Sequence, residues 1–121
     1  MKSPTKENIK QIATTKNYTT NVYIGSNDDE FISSINKSLN NAKYKIIGFE
    51  SDGKKLVKNI KKDIPNILLL DTKINNSSYS EITSSIEKIN IPHIAIIDDI
   101  TDNIIEEIIP GNPFGYLIKP I

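Results

Sequence analysis

Two aliphatic runs in this sequence end on charged residues that could act together. Ile67-Leu68-Leu69-Leu70 leads into Asp71, and Tyr116-Leu117-Ile118 leads into Lys119. A carboxylate at the tip of a buried strand can attack phosphorus, and an ammonium opposite it pairs with phosphoryl oxygens as charge builds up. That chemistry requires the two tips to lie side by side. Two further tips are polar: Ser26-Asn27-Asp28 after residues 22–25, and Asp98 after residues 93–97. Each has a plainer reading. The aspartates serve equally well as turn or cap residues, and the lysine as a solvated strand end.

What must position these tips is an alternating series of strands and helices. Residues 22–25, 44–49, 66–70, 93–97 and 115–119 are short apolar runs rich in β-branched residues and read as strands. Between them the period changes. Phe31, Ile32, Ile35 and Leu39 mark one helix face, and Leu56, Val57, Ile60 and Ile64 a second, stopping before Pro65. Ile82, Ile86 and Ile89 mark a third, and Ile104, Ile105, Ile108 and Ile109 a fourth. Asp52 reads as a cap for the second helix, and residues 98–102 supply turn and cap residues for the fourth. Strands joined by helices imply right-handed crossovers and a parallel sheet covered on both faces. In such a sheet, ligands bind beyond the carboxyl ends of the strands.

Composition narrows the classes. The chain has 121 residues, enough for one domain, and its 15 basic and 15 acidic residues cancel, which argues against a nucleic-acid surface. No cysteine is present, so disulfides, thiol nucleophiles and Cys-ligated zinc are excluded. No apolar run approaches a membrane span, and the expectation is a cytoplasmic protein with no membrane partner. Isoleucine occurs 25 times and aromatics are few, so the core must be built from branched aliphatics. The lysines at 54, 55, 58, 61 and 62 read as the solvated face of an amphipathic helix. His93, the one histidine, lies inside a predicted strand and reads as structural. Residues 1–20 form a polar extension with one weak helical stripe, Ile9, Ile12 and Ala13, and residues 21–121 form the domain.

The segments 65–71, Ile91-Pro92 and Pro113-Phe114-Gly115-Tyr116-Leu117-Ile118-Lys119-Pro120 resemble the response-regulator receiver domains of two-component signalling. The resemblance implies a flavodoxin-like, doubly wound fold with five parallel strands in the order 2-1-3-4-5. It implies that Asp71 is the phosphoacceptor for a histidine kinase, Lys119 the conserved lysine, Tyr116 the switch aromatic, and the bond before Pro120 cis. It assigns the backbone carbonyl of Lys73 to Mg²⁺, with Asp71.

The sequence departs from that pattern in three places. Receivers put two acids directly after the first strand to hold Mg²⁺, and the register of Phe31, Ile35 and Leu39 sets Ser26 and Asn27 there. Asp28 is then a weak metal ligand at most, and Mg²⁺ is expected to bind weakly or not at all. The family's Ser or Thr at the end of the fourth strand is replaced by Ile97, which cannot donate a hydrogen bond, with Asp98 next. Receivers also continue into a fifth helix, here missing or substituted, so that the stripe at residues 9–13 or a homodimer contact is expected to cover that face. Two functions follow as expectations: a phosphorelay receiver accepting phosphate on Asp71 inefficiently, or a pseudo-receiver that works as a phosphorylation-independent interaction module. A small nucleotide binder is a third reading, weakened because Gly25 stands alone after the first strand.

Overall fold

The computed structural model describes residues 19–120. Five strands alternate with four helices: β1 (Thr20–Gly25), α1 (Asp29–Leu39), β2 (Tyr44–Glu50), α2 (Gly53–Lys62), β3 (Ile67–Asp71), α3 (Tyr79–Ile86), β4 (His93–Ile97), α4 (Asp102–Ile108) and β5 (Gly115–Ile118). All strand pairs are parallel and the order is β2-β1-β3-β4-β5, as expected. The stripe at Ile9, Ile12 and Ala13 lies outside the described residues.

Each helix starts where its sequence provides a side-chain acceptor. Asp28 accepts from the Phe31 N–H at 3.1 Å, and Asp52 from Lys54 and Lys55 at 2.9 and 3.0 Å. Ser78 accepts from Glu81 and Thr101 from Ile104, both at 3.1 Å. These bonds satisfy donors that the first helical turn leaves open. Thr101, not Asp98 or Asp99, is therefore the cap of α4. Two apolar positions leave the faces assigned to them. Ile64 is solvent-exposed because α2 ends at Lys62; Pro65 disfavours helical backbone at the residue before it. Ile109 is exposed as well, because α4 tightens into a 3₁₀ turn over Ile109–Gly111 and the wider angle per residue swings it outward. Ile89 likewise falls in a 3₁₀ turn after α3.

Alternation along the strands divides the core in two. Tyr23, Leu68, Leu70, Ala95 and Ile97 face α2, α3 and α4, where they meet Leu56, Ile60, Ile82, Ile86 and Ile108. Val22, Ile24, Leu69 and Ile96 face the other way, against Phe31, Ile32 and Ile35 of α1. A polar pair enters the first of these cores at Tyr79, whose hydroxyl lies 2.6 Å from His93 Nε2 and 3.3 Å from the Ile108 carbonyl. His93 is thus a buried structural residue; burial pushes its imidazole below the ordinary value and the Tyr79 phenol above it, so the pair is neutral near pH 7. Tyr79→Phe is expected to lower stability by about 1–3 kcal/mol, read from urea denaturation, because a buried ring nitrogen loses its partner.

Candidate functional site

Because every strand is parallel, the polar tips converge at one end of the sheet, and Lys119 stands at their centre. Its ammonium is 2.7 Å from Asp71 Oδ2, 2.9 Å from Asp28 Oδ2 and 3.3 Å from Asp98 Oδ1. It also lies 5.4 Å above the Phe31 ring, a cation–π distance. The lysine is held by its backbone: its N–H donates to the Ile97 carbonyl at 2.8 Å, just past the end of β5, and the Lys119–Pro120 bond is cis. Burial pushes its ammonium down, but the bonds to Asp71, Asp28 and Asp98 outweigh burial and hold it above the usual lysine range.

Asp71 is fully buried, and both of its oxygens are engaged. Oδ2 accepts from Ser26 Oγ at 2.6 Å as well as from Lys119, and Oδ1 accepts from the Lys73 N–H at 3.0 Å. Ser26, also fully buried, accepts in turn from the Asp28 N–H at 3.0 Å. Its hydroxyl thus links the end of β1 to the end of β3. Ser26→Ala is expected to cost about 1.5–3 kcal/mol, since it removes a hydrogen bond to a buried charge. The measurement is again urea denaturation, with the folded baseline unchanged.

Asn27 turns away from Asp71. Its amide donates to Asn75 Oδ1 at 3.1 Å, and its N–H donates to the Lys73 carbonyl at 3.0 Å. Asp28 does two tasks: Oδ1 caps α1 and Oδ2 meets Lys119, whose hydrogen bond, followed by that of Phe31, holds its carboxyl below the ordinary range. Asp98, a polar strand tip that serves equally as a cap or turn residue in the sequence, faces the site, bonded to the Lys73 ammonium and near Lys119. The Lys73 bond, more than any other, holds Asp98 low, and Asp98 holds Lys73 high. Sequence reasoning gave Lys73 only a carbonyl role. Its side chain, two residues past the tip of β3, was missed; it reaches the rim through its bond to Asp98.

Tyr116 lies half-exposed on β5, paired with Ala95, while Ile97 is wholly buried among the apolar residues under α2–α4. The site opens on a cleft of ≈ 340 Å³ lined by Asp28, Glu30, Phe31, Ser34, Asp98 and Pro120 around Lys119. A larger cavity of ≈ 520 Å³ lies elsewhere, beside His93 and the 3₁₀ turns after α3 and α4, and includes none of the residues around Asp71.

Solved structures repeat this arrangement of strands and helices. The signal receiver domain of a modulated diguanylate cyclase from Desulfovibrio desulfuricans superposes with a TM-score of 0.77 at 23% identity, over 85% of this chain and 83% of that one. The fold is the receiver fold. The chemotaxis protein CheY4 of Vibrio cholerae matches with a TM-score of 0.74 at 14% identity, over 85% of this chain and 88% of that one. The response regulator domain of Thermotoga maritima CheB matches with a TM-score of 0.71 at 19% identity, over 84% and 79% of the two chains. No family model matches the sequence, and no curated protein is significantly similar to it. Within this receiver fold no helix among the described residues is long and apolar enough to cross a membrane.

The pKa shifts set a pH window for the site. Asp28 and Asp98 are depressed, so their contribution is present above the ordinary carboxylate pKa of about 4 and is lost as pH falls. Lys119 is raised, so its contribution is full below about pH 10 and is lost only as pH climbs through its elevated value. Asp98→Asn is expected to flatten the acid limb of a stability–pH profile while leaving the limb above pH 10 dominated by Lys119.

Proposed function

We propose that this chain is a signal-receiver module that acts through protein contact, with the Asp71 site held by its own internal charges rather than by a phosphoryl group and Mg²⁺. The observation that carries this reading is the complete burial of Asp71, with three of its carboxylate's roughly four lone-pair sites engaged. Its oxygens already accept from Ser26, Lys119 and the Lys73 N–H, and the carboxylate has no exposed surface. A nucleophile needs a free lone pair with an open approach to the electrophile.

Mg²⁺ fits these residues poorly. The ion takes near-octahedral oxygen ligation, commonly from one or two carboxylates. Here the positions after β1 hold Ser26 and Asn27, and the cation among Asp28, Asp71 and Asp98 is the Lys119 ammonium. No group of three or more metal-ligating side chains is arranged to hold an ion among the described residues. Asp98 adds a second obstacle, because its carboxylate is bonded to Lys73 and sits close to Lys119, the two cations an incoming phosphoryl group would need.

The 2.7 Å Asp71–Lys119 pair favours a second reading, an inefficient phosphoacceptor served by a histidine kinase. Incubation with acetyl phosphate and Mg²⁺, followed by intact-mass measurement, separates the two. The expected result is an unmodified chain. A phosphoryl adduct that disappears in Asp71→Asn would overturn the interaction-module reading in favour of phosphorelay.

A further inference from the structure

We propose that a second copy of this chain docks on the layer formed by α2, α3 and α4, with the basic α2 of each copy against the acidic α4 of the other. The formal charge is zero, yet charge is sorted across this layer. Between its caps, Asp52 and the exposed Asp63, α2 exposes Lys54, Lys55, Lys58, Lys61 and Lys62 and carries no acid. α4 and the turn before it expose Asp99, Asp102, Glu106 and Glu107, and no lysine falls between Lys88 and Lys119. None of these side chains takes part in an ion pair among the described residues. Such separation leaves two opposite patches on one surface, which is the pattern a self-complementary contact needs.

The geometry gives that contact a closed form. α3 lies between the charged helices and packs on both; besides Glu81 in its first turn it exposes Ser80, Ser84 and Ser85, short enough for a second layer to approach. A two-fold axis along α3 sets α2 over α4 of the other copy and α4 over its α2. Each contact is then made twice and the assembly stops at two chains. An axis across the helices would set lysine against lysine, so charge also selects the orientation. A nucleic acid or an anionic membrane would be drawn to α2 but repelled by α4 in the same layer, which favours a partner carrying both signs.

Sedimentation velocity of the full chain tests this. A dimer is expected at about 10 mM ionic strength and a monomer at about 1 M, where screening shortens the electrostatic range to about 3 Å. The variant Lys55→Glu/Lys58→Glu/Lys62→Glu and the variant Asp102→Lys/Glu106→Lys should each weaken self-association about tenfold or more, with unchanged circular dichroism. Mixed in equal amounts, the two should dimerise again, because each supplies the sign the other lost. A wild-type monomer at low salt overturns the proposal, as does a dimer that survives both reversals, or folded variants that fail to associate when mixed. A monomer that instead binds anionic vesicles or duplex DNA at low salt overturns it too.

Discussion

Lys119→Met is expected to destabilise the protein by about 3–5 kcal/mol, because it leaves a buried carboxylate without its cation. Asp71 has no exposed surface and Lys119 is only 11% exposed, so water can compensate little at that distance. The loss has a diagnostic structure. Asp71→Asn/Lys119→Met removes both charges, and its cost should fall well below the sum of the two single variants. The coupling is expected to exceed that of the exposed Lys73–Asp98 pair, where solvent screens both groups and the median worth is about 0–1 kcal/mol. Urea denaturation of the four chains in each cycle gives the comparison. Equal couplings would mean that the Lys119 ammonium is effectively solvated and that the site is not held by internal charge.

The parts of this architecture that were legible in the sequence are those set by short-range periodicity. Strand tips at Asp71 and Lys119, the apolar faces of the helices, and the cap at Asp52 follow from patterns a few residues long. The parallel order then brings the tips together without further information. The side-chain assignments at the rim were not legible, because they depend on which of several nearby ions a flexible side chain selects. Lys73 and Asp98 lie on loops after different strands, and nothing local to either indicates the pairing. Asp28 shows a different limit. A capping aspartate uses one oxygen for the helix, and the sequence gives no sign of whether its second oxygen meets solvent or, as here, Lys119. Ile64 and Ile109 failed for a third reason, since helical spacing persisted in the sequence past the point where proline and a tightened turn ended the helix.

The backbone beneath the site should prove as sensitive as the charges. Leu70 is fully buried on β3, one residue before Asp71, and Leu70→Ala is expected to cost about 2–5 kcal/mol for lost contacts and the cavity left behind. Gly25 lies directly across on β1, paired in register with Leu70. A Cβ at Gly25 would clash with Leu56 Cδ2 and stand 3.3 Å from Leu70 Cδ1, so Gly25→Ala overpacks the core and should cost about 1–3 kcal/mol by itself. Glycine at this position therefore answers to packing. Truncating Leu70 opens the space into which Leu56 must move to admit the new methyl. Gly25→Ala/Leu70→Ala should accordingly be more stable than the sum of the single losses predicts, by roughly 0.5–3 kcal/mol. Additive losses would place the two defects in separate pockets and contradict the packing of β1 on β3. Because Ser26 follows Gly25 and Asp71 follows Leu70, the same cycle tests whether the Ser26–Asp71 hydrogen bond is positioned by that packing. Ser26→Ala should accordingly cost less in the Gly25→Ala or Leu70→Ala background than in the parent, read from urea denaturation.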